Sequence, residues 1–319
     1  MPIEALQSGW AEQDPDMWWK YVVEGIEKIS EQYSMGDVAS IGITYQMHGL
    51  VALDKECCPV RKSIIWCDSR AVEIGAEALE SIGREFCLEH TLNSPGNFTA
   101  SKLAWVKRNE PELFEKVATF VLPGDYIAYR MSGELATSVS GLSEQILWDF
   151  KEDKRADFVA DYYGIPQDII PRAGVSIGVE SKTDKATEQL LGIPAGTPIS
   201  YRAGDQPNNA FSLNVMEAGE VAATAGTSGV VYGVVDTPKA DPLSRVNTFV
   251  HVNHTPATPR YGILLCINGT GILNSWMRRN VMQQTMDYAQ MNDLAQQAPV
   301  GSDGVLVLPF GNGAERVLE

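Results

Sequence analysis

Three apolar, β-rich runs in this chain each stop at a glycine set among polar residues. That repeated arrangement restricts the fold more than any other feature. Residues 40–45 (SIGITY) run into Gln46-Met47-His48-Gly49, residues 199–203 into Gly204-Asp205, and residues 264–267 into Gly269-Thr270-Gly271. Runs of this kind read as strands. Elsewhere the period changes: Trp18, Trp19, Val22, Val23, Ile26 and Ile29 recur at helical spacing, predicting an amphipathic helix of about 15 residues from Asp16. Interleaved strands and helices predict an α/β fold, in which strand ends open onto ligand crevices.

Further strands are expected at 50–53, 63–66, 119–122, 221–225, 230–235, 248–252, 263–267 and 305–308. Helices are expected at 71–82, 102–109, 125–131, 183–191 (capped by Thr183 or Ser181), 272–279 and 282–297, with one more starting at Pro111. The texture changes near residue 210, dividing the chain into 1–210 and 211–319. The length of 319 residues suits about two domains.

Charge excludes several functions. The net charge is −16, which repels nucleic acid and anionic membranes. A phosphate site here has to rely on backbone N–H groups, helix N-termini and a metal ion. No apolar stretch is long enough to span a bilayer, and no secretory leader is evident. The five cysteines contain no CxxC pair and the four histidines no HExxH spacing, so zinc and disulfides are not expected.

Several short segments could carry chemistry. Asp205, after a strand-ending glycine and before Gln206, could accept the proton of an attacking hydroxyl; it equally reads as the cap of the next helix. Gly226-Thr227-Ser228-Gly229 forms a tight turn between strands, either a small anion nest or a plain hairpin. Gly269-Thr270-Gly271, between a strand and a helix, reads as a phosphate cradle or as an ordinary N-cap at Thr270. Gln46 and His48 offer directional hydrogen bonds to a polyol. Trp66 could pack a sugar face and Asp68 bind a hydroxyl, or they could form a buried Trp and a surface ion pair with Arg70. No Walker A sequence is present.

The order of these segments is more specific than any one of them. Gly9-Trp10-x-Glu12-Gln13-Asp14-Pro15, Gln46-Met47-His48-Gly49, Trp66-x-Asp68-x-Arg70, Lys102-Leu103-x-Trp105, Leu122-Pro123-x-Asp125-Tyr126, Gly204-Asp205-Gln206, Gly226–Gly229 and Gly269–Gly271 follow in one succession. This succession resembles the FGGY family of carbohydrate kinases over essentially the whole chain. Met47-His48 is similar to its xylulokinase branch, whereas Gln206 departs from the Gly-Asp-Asn expected there.

The resemblance implies two actin-like (ribonuclease-H-like) domains around a cleft: 1–210 the N-terminal sugar-binding domain and 211–319 the first part of the C-terminal nucleotide-binding domain. It implies ATP and Mg²⁺, with Asp205 as catalytic base and a candidate metal ligand. Gln46, Met47, His48, Trp66, Asp68 and Gln206 would meet the sugar. Gly226, Thr227, Ser228, Gly269, Thr270 and Gly271 would meet the nucleotide. The reaction implied is ATP-dependent phosphorylation of a ketose, D-xylulose to D-xylulose 5-phosphate, by a cytoplasmic enzyme for which a homodimer is the candidate assembly. Alternatives are sedoheptulose, ribulose or glycerol as acceptor, or a sugar-binding remnant without turnover. The family's opening Asp-x-Gly-Thr strand and closing adenine-binding segment have no counterpart in the sequence. Truncation at both ends, an incomplete second domain and weak or no activity of this polypeptide alone are therefore expected.

Overall fold

The computed structural model describes residues 2–226, 228–267 and 269–308. The strands that position the site are β1 (Ile41–Tyr45), β2 (Val51–Leu53), β3 (Thr119–Val121), β4 (Ile177–Lys182), β5 (Pro198–Gly204), β6 (Val221–Ala225), β7 (Gly229–Val235), β8 (Asn247–Val250) and β9 (Tyr261–Ile267). The helices are α1 (Pro15–Ser30), α2 (Thr99–Asn109), α3 (Pro123–Ser132), α4 (Val139–Glu144), α5 (Lys185–Leu191), α6 (Asp205–Ser212), α7 (Gly271–Trp276) and α8 (Tyr288–Ala295).

β5 pairs antiparallel with β4 and parallel with β1, with Gly204 opposite Tyr45. Because β1 and β5 are parallel, their C-terminal ends lie side by side, and Gln46-Met47-His48 emerges next to Asp205-Gln206. β2 and β3 form a separate antiparallel pair. A four-stranded antiparallel sheet follows in the order β6-β7-β9-β8, so the β6–β7 turn and the end of β9 come together at Gly229 opposite Ile267.

Two apolar clusters hold these layers. One joins Trp18 and Trp19 of α1 to Ile43, Val51, Val121 and Tyr126. The other runs from Met47, Phe98, Leu103 and Leu142 to Ala210, Tyr232, Phe249 and Leu264, one continuous core from the first part of the chain into the second. Helix ends follow local chemistry. Asp14 caps α1 by accepting from Asp16 N at 2.9 Å, with Pro15 in the first turn. Gly133 ends α3 in the left-handed conformation, φ 72°.

The structure corrects four expectations. The strand foreseen at 63–66 is only Ser63–Ile64. α5 is capped by Asp184, which accepts from Thr187 N at 2.7 Å, rather than by Thr183 or Ser181; the Thr183 hydroxyl donates to Pro194 O instead. The helix foreseen at 282–297 is only α8. Gln283 and Gln284 take positive φ, and a capping box between Asp287 and Gln290 restarts the helix. Residues 305–308 pair with no strand among the described residues and are exposed, since a β-prone run without a partner has nowhere to place its backbone hydrogen bonds. Among the described residues no helix is long and apolar enough to cross a membrane.

Candidate functional site

Asp205 opens α6 directly after β5. Gln206 Nε2 donates to its Oδ2 at 2.9 Å, and the Met47 N–H also points at the carboxylate. Burial pushes the Asp205 pKa up, and these donors pull it back. A carboxylate so raised is a better proton acceptor than one in water. Gly204 permits this geometry: a Cβ there would stand 2.5 Å from Met47 Cγ and 2.9 Å from Glu144 Oε2.

His48 sits in the left-handed region, φ 60°. Its N–H donates to Glu144 Oε1 at 2.8 Å, its Nδ1 lies 3.0 Å from the Glu144 carbonyl, and its own carbonyl accepts from Lys102 Nζ at 2.7 Å. Since a carbonyl can only accept, Nδ1 carries the hydrogen. The ring packs edge-on against Phe98 with centroids 4.9 Å apart and tilts against Phe249 at 5.5 Å.

Glu144 is buried, with its pKa pushed well up by burial and further by the charges of Asp125 and Asp205. Lys102 is fully buried. Its ammonium also donates to Ile65 O at 3.0 Å, and burial pulls its pKa down to about 7. Neither residue was expected at the site. Lys102 had a signal in the Lys-Leu-x-Trp segment, whereas Glu144 lies in an unremarkable helix and only the tertiary fold brings it here.

The other sugar-side candidates separate. Met47 is buried against Gly204. Trp66 is half exposed, at 51%, and Lys102 ties its neighbour Ile65 to His48 through one ammonium. Asp68, expected to meet the sugar, is fully buried. Its carboxylate accepts from Ala11 N at 2.6 Å and from Arg70 Nε and Nη2 at 2.9 and 2.6 Å. Arg70 in turn pairs with Glu12 and stacks on Trp10, 3.8 Å from the ring centroid. These donors occupy Asp68, so it ties the 9–13 segment to the core rather than facing a ligand. Gln46 donates to Gln13 Oε1 at 2.8 Å and lines a groove of about 490 Å³ with Trp18, Tyr21 and Thr44.

The nucleotide-side candidates converge. Gly271 N and Thr270 Oγ1 both donate to Gly226 O, at 2.9 and 3.1 Å. Gly226 N donates to Ser228 O at 3.1 Å, and Gly269 is buried. Thr227 lies outside the described residues. A Cβ on Gly229 would come within 2.6 Å of Thr270 Cγ2, so only glycine lets the turns approach this closely. Beside them opens a cleft of about 540 Å³ lined by Gly226, Gly271, Asn274, Ser275, Arg279 and Tyr288. Arg279 supplies a cation that the sequence pattern did not single out.

Among the described residues no cluster of three or more His, Cys, Asp or Glu side chains could hold a metal by itself. Mg²⁺ is commonly held by one or two carboxylates together with substrate phosphates and water. Asp205, a single carboxylate at a strand end, fits an ion of that kind arriving with a nucleotide.

Residues 1–212 match the FGGY family of carbohydrate kinases, N-terminal domain. A xylulose kinase of Escherichia coli (strain K12) is 27% identical over 305 residues, covering 95% of this chain and 61% of that protein. The crystal structure of xylulose kinase from Rhodospirillum rubrum superposes with a TM-score of 0.88 at 26% identity, over 98% of this chain and 64% of that one. That of gluconate kinase from Lactobacillus acidophilus gives 0.90 at 25% identity, over 98% and 63%. The fold is theirs: the actin-like α/β arrangement around a cleft that the sequence implied. The chain spans about six tenths of the length of the relatives it matches.

Proposed function

The chain belongs to the FGGY family of carbohydrate kinases, and from that premise we propose that it serves the ATP-dependent phosphorylation of a ketose, D-xylulose to D-xylulose 5-phosphate. One observation carries this reading. The parallel pairing of β1 and β5 sets Met47-His48 beside Asp205, which joins hydrogen-bonding groups for a polyol to a base with a raised pKa. The sugar hydroxyl would attack the γ-phosphorus of ATP in line. Asp205 takes its proton, the bond from the γ-phosphorus to the bridging oxygen breaks, and ADP leaves. The Gly226 and Gly271 turns and Arg279 would receive the phosphates. Mg²⁺, held by Asp205 and the phosphates, would neutralise charge on the transferring group. In this reading 1–210 forms the sugar-binding domain and 211–319 the first part of the nucleotide-binding domain, in a cytoplasmic enzyme.

The similarity to a gluconate kinase favours a second reading, an open-chain sugar acid as acceptor. Coupled ATP turnover with D-xylulose, D-gluconate and glycerol tests both, beside a calorimetric titration of each compound. The expected result is binding of D-xylulose, with whatever weak turnover this polypeptide supports alone confined to D-xylulose and lost in Asp205→Ala. A preference for D-gluconate would move the assignment to the sugar acid, and no binding of any of the three would overturn the sugar-kinase reading.

A further inference from the structure

His48 is held at both ends of its backbone by groups from two different helices. Glu144, the last residue of α4, receives the His48 N–H on its carboxylate and the ring Nδ1–H on its main-chain carbonyl. Lys102, within α2, donates to the His48 carbonyl from the other side. A histidine at φ 60° is in a conformation that costs about 1 kcal/mol or more and persists only where surrounding groups fix it. Lys102 and Glu144 are both almost wholly buried, at 0% and 2% exposure, so neither bond competes with water. Buried ionisable groups without a structural or functional use are rare.

We propose that Glu144 and Lys102 form a two-ended clamp that keeps residue 48 in the left-handed conformation and so aims the His48 imidazole at the sugar. This rests on the sugar-pocket reading above for the ligand, but not for the clamp itself. Both are positioning residues: they act on the sugar through His48 and not by touching it. The same ammonium reaches Ile65 O, so the clamp also fixes the spacing between the His48 and Trp66 segments. Specificity for the acceptor would then depend on a carboxylate and an amine that the acceptor never meets.

The test uses Glu144→Met and Lys102→Met, which keep the length of each side chain and remove the group that bonds His48; a glutamine at 144 would retain an amide oxygen for the His48 N–H. With four histidines in the chain, the imidazole C–H signals are few enough to follow individually, and the His48 signal is assigned by its loss in His48→Ala. The expected result is a shifted His48 signal in both variants, with those of His251 and His254 unmoved. Sugar affinity falls about tenfold or more, nucleotide affinity is kept, and neither substitution weakens sugar binding further in the His48→Ala background. Unchanged His48 signals would overturn the clamp whether or not the sugar reading stands. Losses that add in full to that of His48→Ala would overturn it as well, because they would show action independent of His48. If no sugar binds the wild type, the histidine signals alone decide. If Lys102→Met does not fold, the Glu144→Met arm carries the decision.

Discussion

Gly204 and Met47 approach so closely that a Cβ on the glycine would stand 2.5 Å from the methionine Cγ. The strand bearing the candidate base and the loop bearing the sugar-side groups are thereby pressed together where β1 and β5 end. Gly204→Ala would push Met47 and Glu144 aside. It is expected to cost about 1–3 kcal/mol of stability and to weaken sugar binding, read by thermal unfolding and calorimetry. Unchanged sugar affinity would mean that the Met47 loop adjusts freely.

Asp205→Asn preserves the shape and the Gln206 contact while removing the base. Turnover should fall by about 100-fold or more, with sugar affinity nearly retained. The comparison is kcat against the sugar dissociation constant, and equal losses in both would point to a binding role instead.

Asp68→Asn tests the assignment of that carboxylate to the fold. It takes the charge from a buried pair with Arg70, which should cost about 3 kcal/mol, the lower end of the range because Glu12 still holds Arg70. Chemical denaturation should register this while the folded fraction binds sugar as before. A stable variant with weakened sugar binding would return Asp68 to the pocket.

Gly229→Ala would drive the β6–β7 turn away from Thr270. Nucleotide affinity is expected to drop about tenfold while sugar affinity stays, measured by separate titrations. The reverse pattern would contradict the division of the site into sugar and nucleotide sides.

His251 sets an acid limit. It is buried, bonded to the Tyr232 hydroxyl at 3.0 Å and to Val215 O at 3.1 Å, and burial pulls its pKa down to about 4 from 6.5. The folded form keeps it neutral where the unfolded chain already binds a proton. Its contribution is therefore complete above pH 6.5 and declines as pH falls toward 4, amounting to about 3 kcal/mol by the end of that window. The unfolding midpoint followed from pH 7 to 4 should fall more steeply in the wild type than in His251→Gln. Parallel curves would remove His251 from the account.

Residues 40–45 and 199–203 were legible as strands because apolar β-prone runs bounded by glycine have few other uses. The same holds for the turn at 226–229 and for Gly269-Thr270-Gly271, where glycine marks a close approach of backbone. The broken helix before Tyr288 was less legible, since residues 282–297 contain no proline or glycine to announce a stop. The Asp287–Gln290 capping box was the available signal. The role of Asp68 was not legible, because a carboxylate near a Trp and an Arg has the same local sequence whether it faces a ligand or locks a core.

By itself the sequence determined the alternation of strands and helices, the glycines that permit tight approach, and the short polar segments at strand ends from which the family follows. Each of these is a local property of a few neighbouring residues. The tertiary structure alone decided which side chains share a space. Asp205 and Met47, 158 positions apart, meet because two parallel strands end together. Glu144 and Lys102 meet at His48 because two helices pack against one loop. Asp68 turns inward because Arg70 and Ala11 present four hydrogens to it. Burial and long-range contact set those outcomes, and neither can be read from residue order.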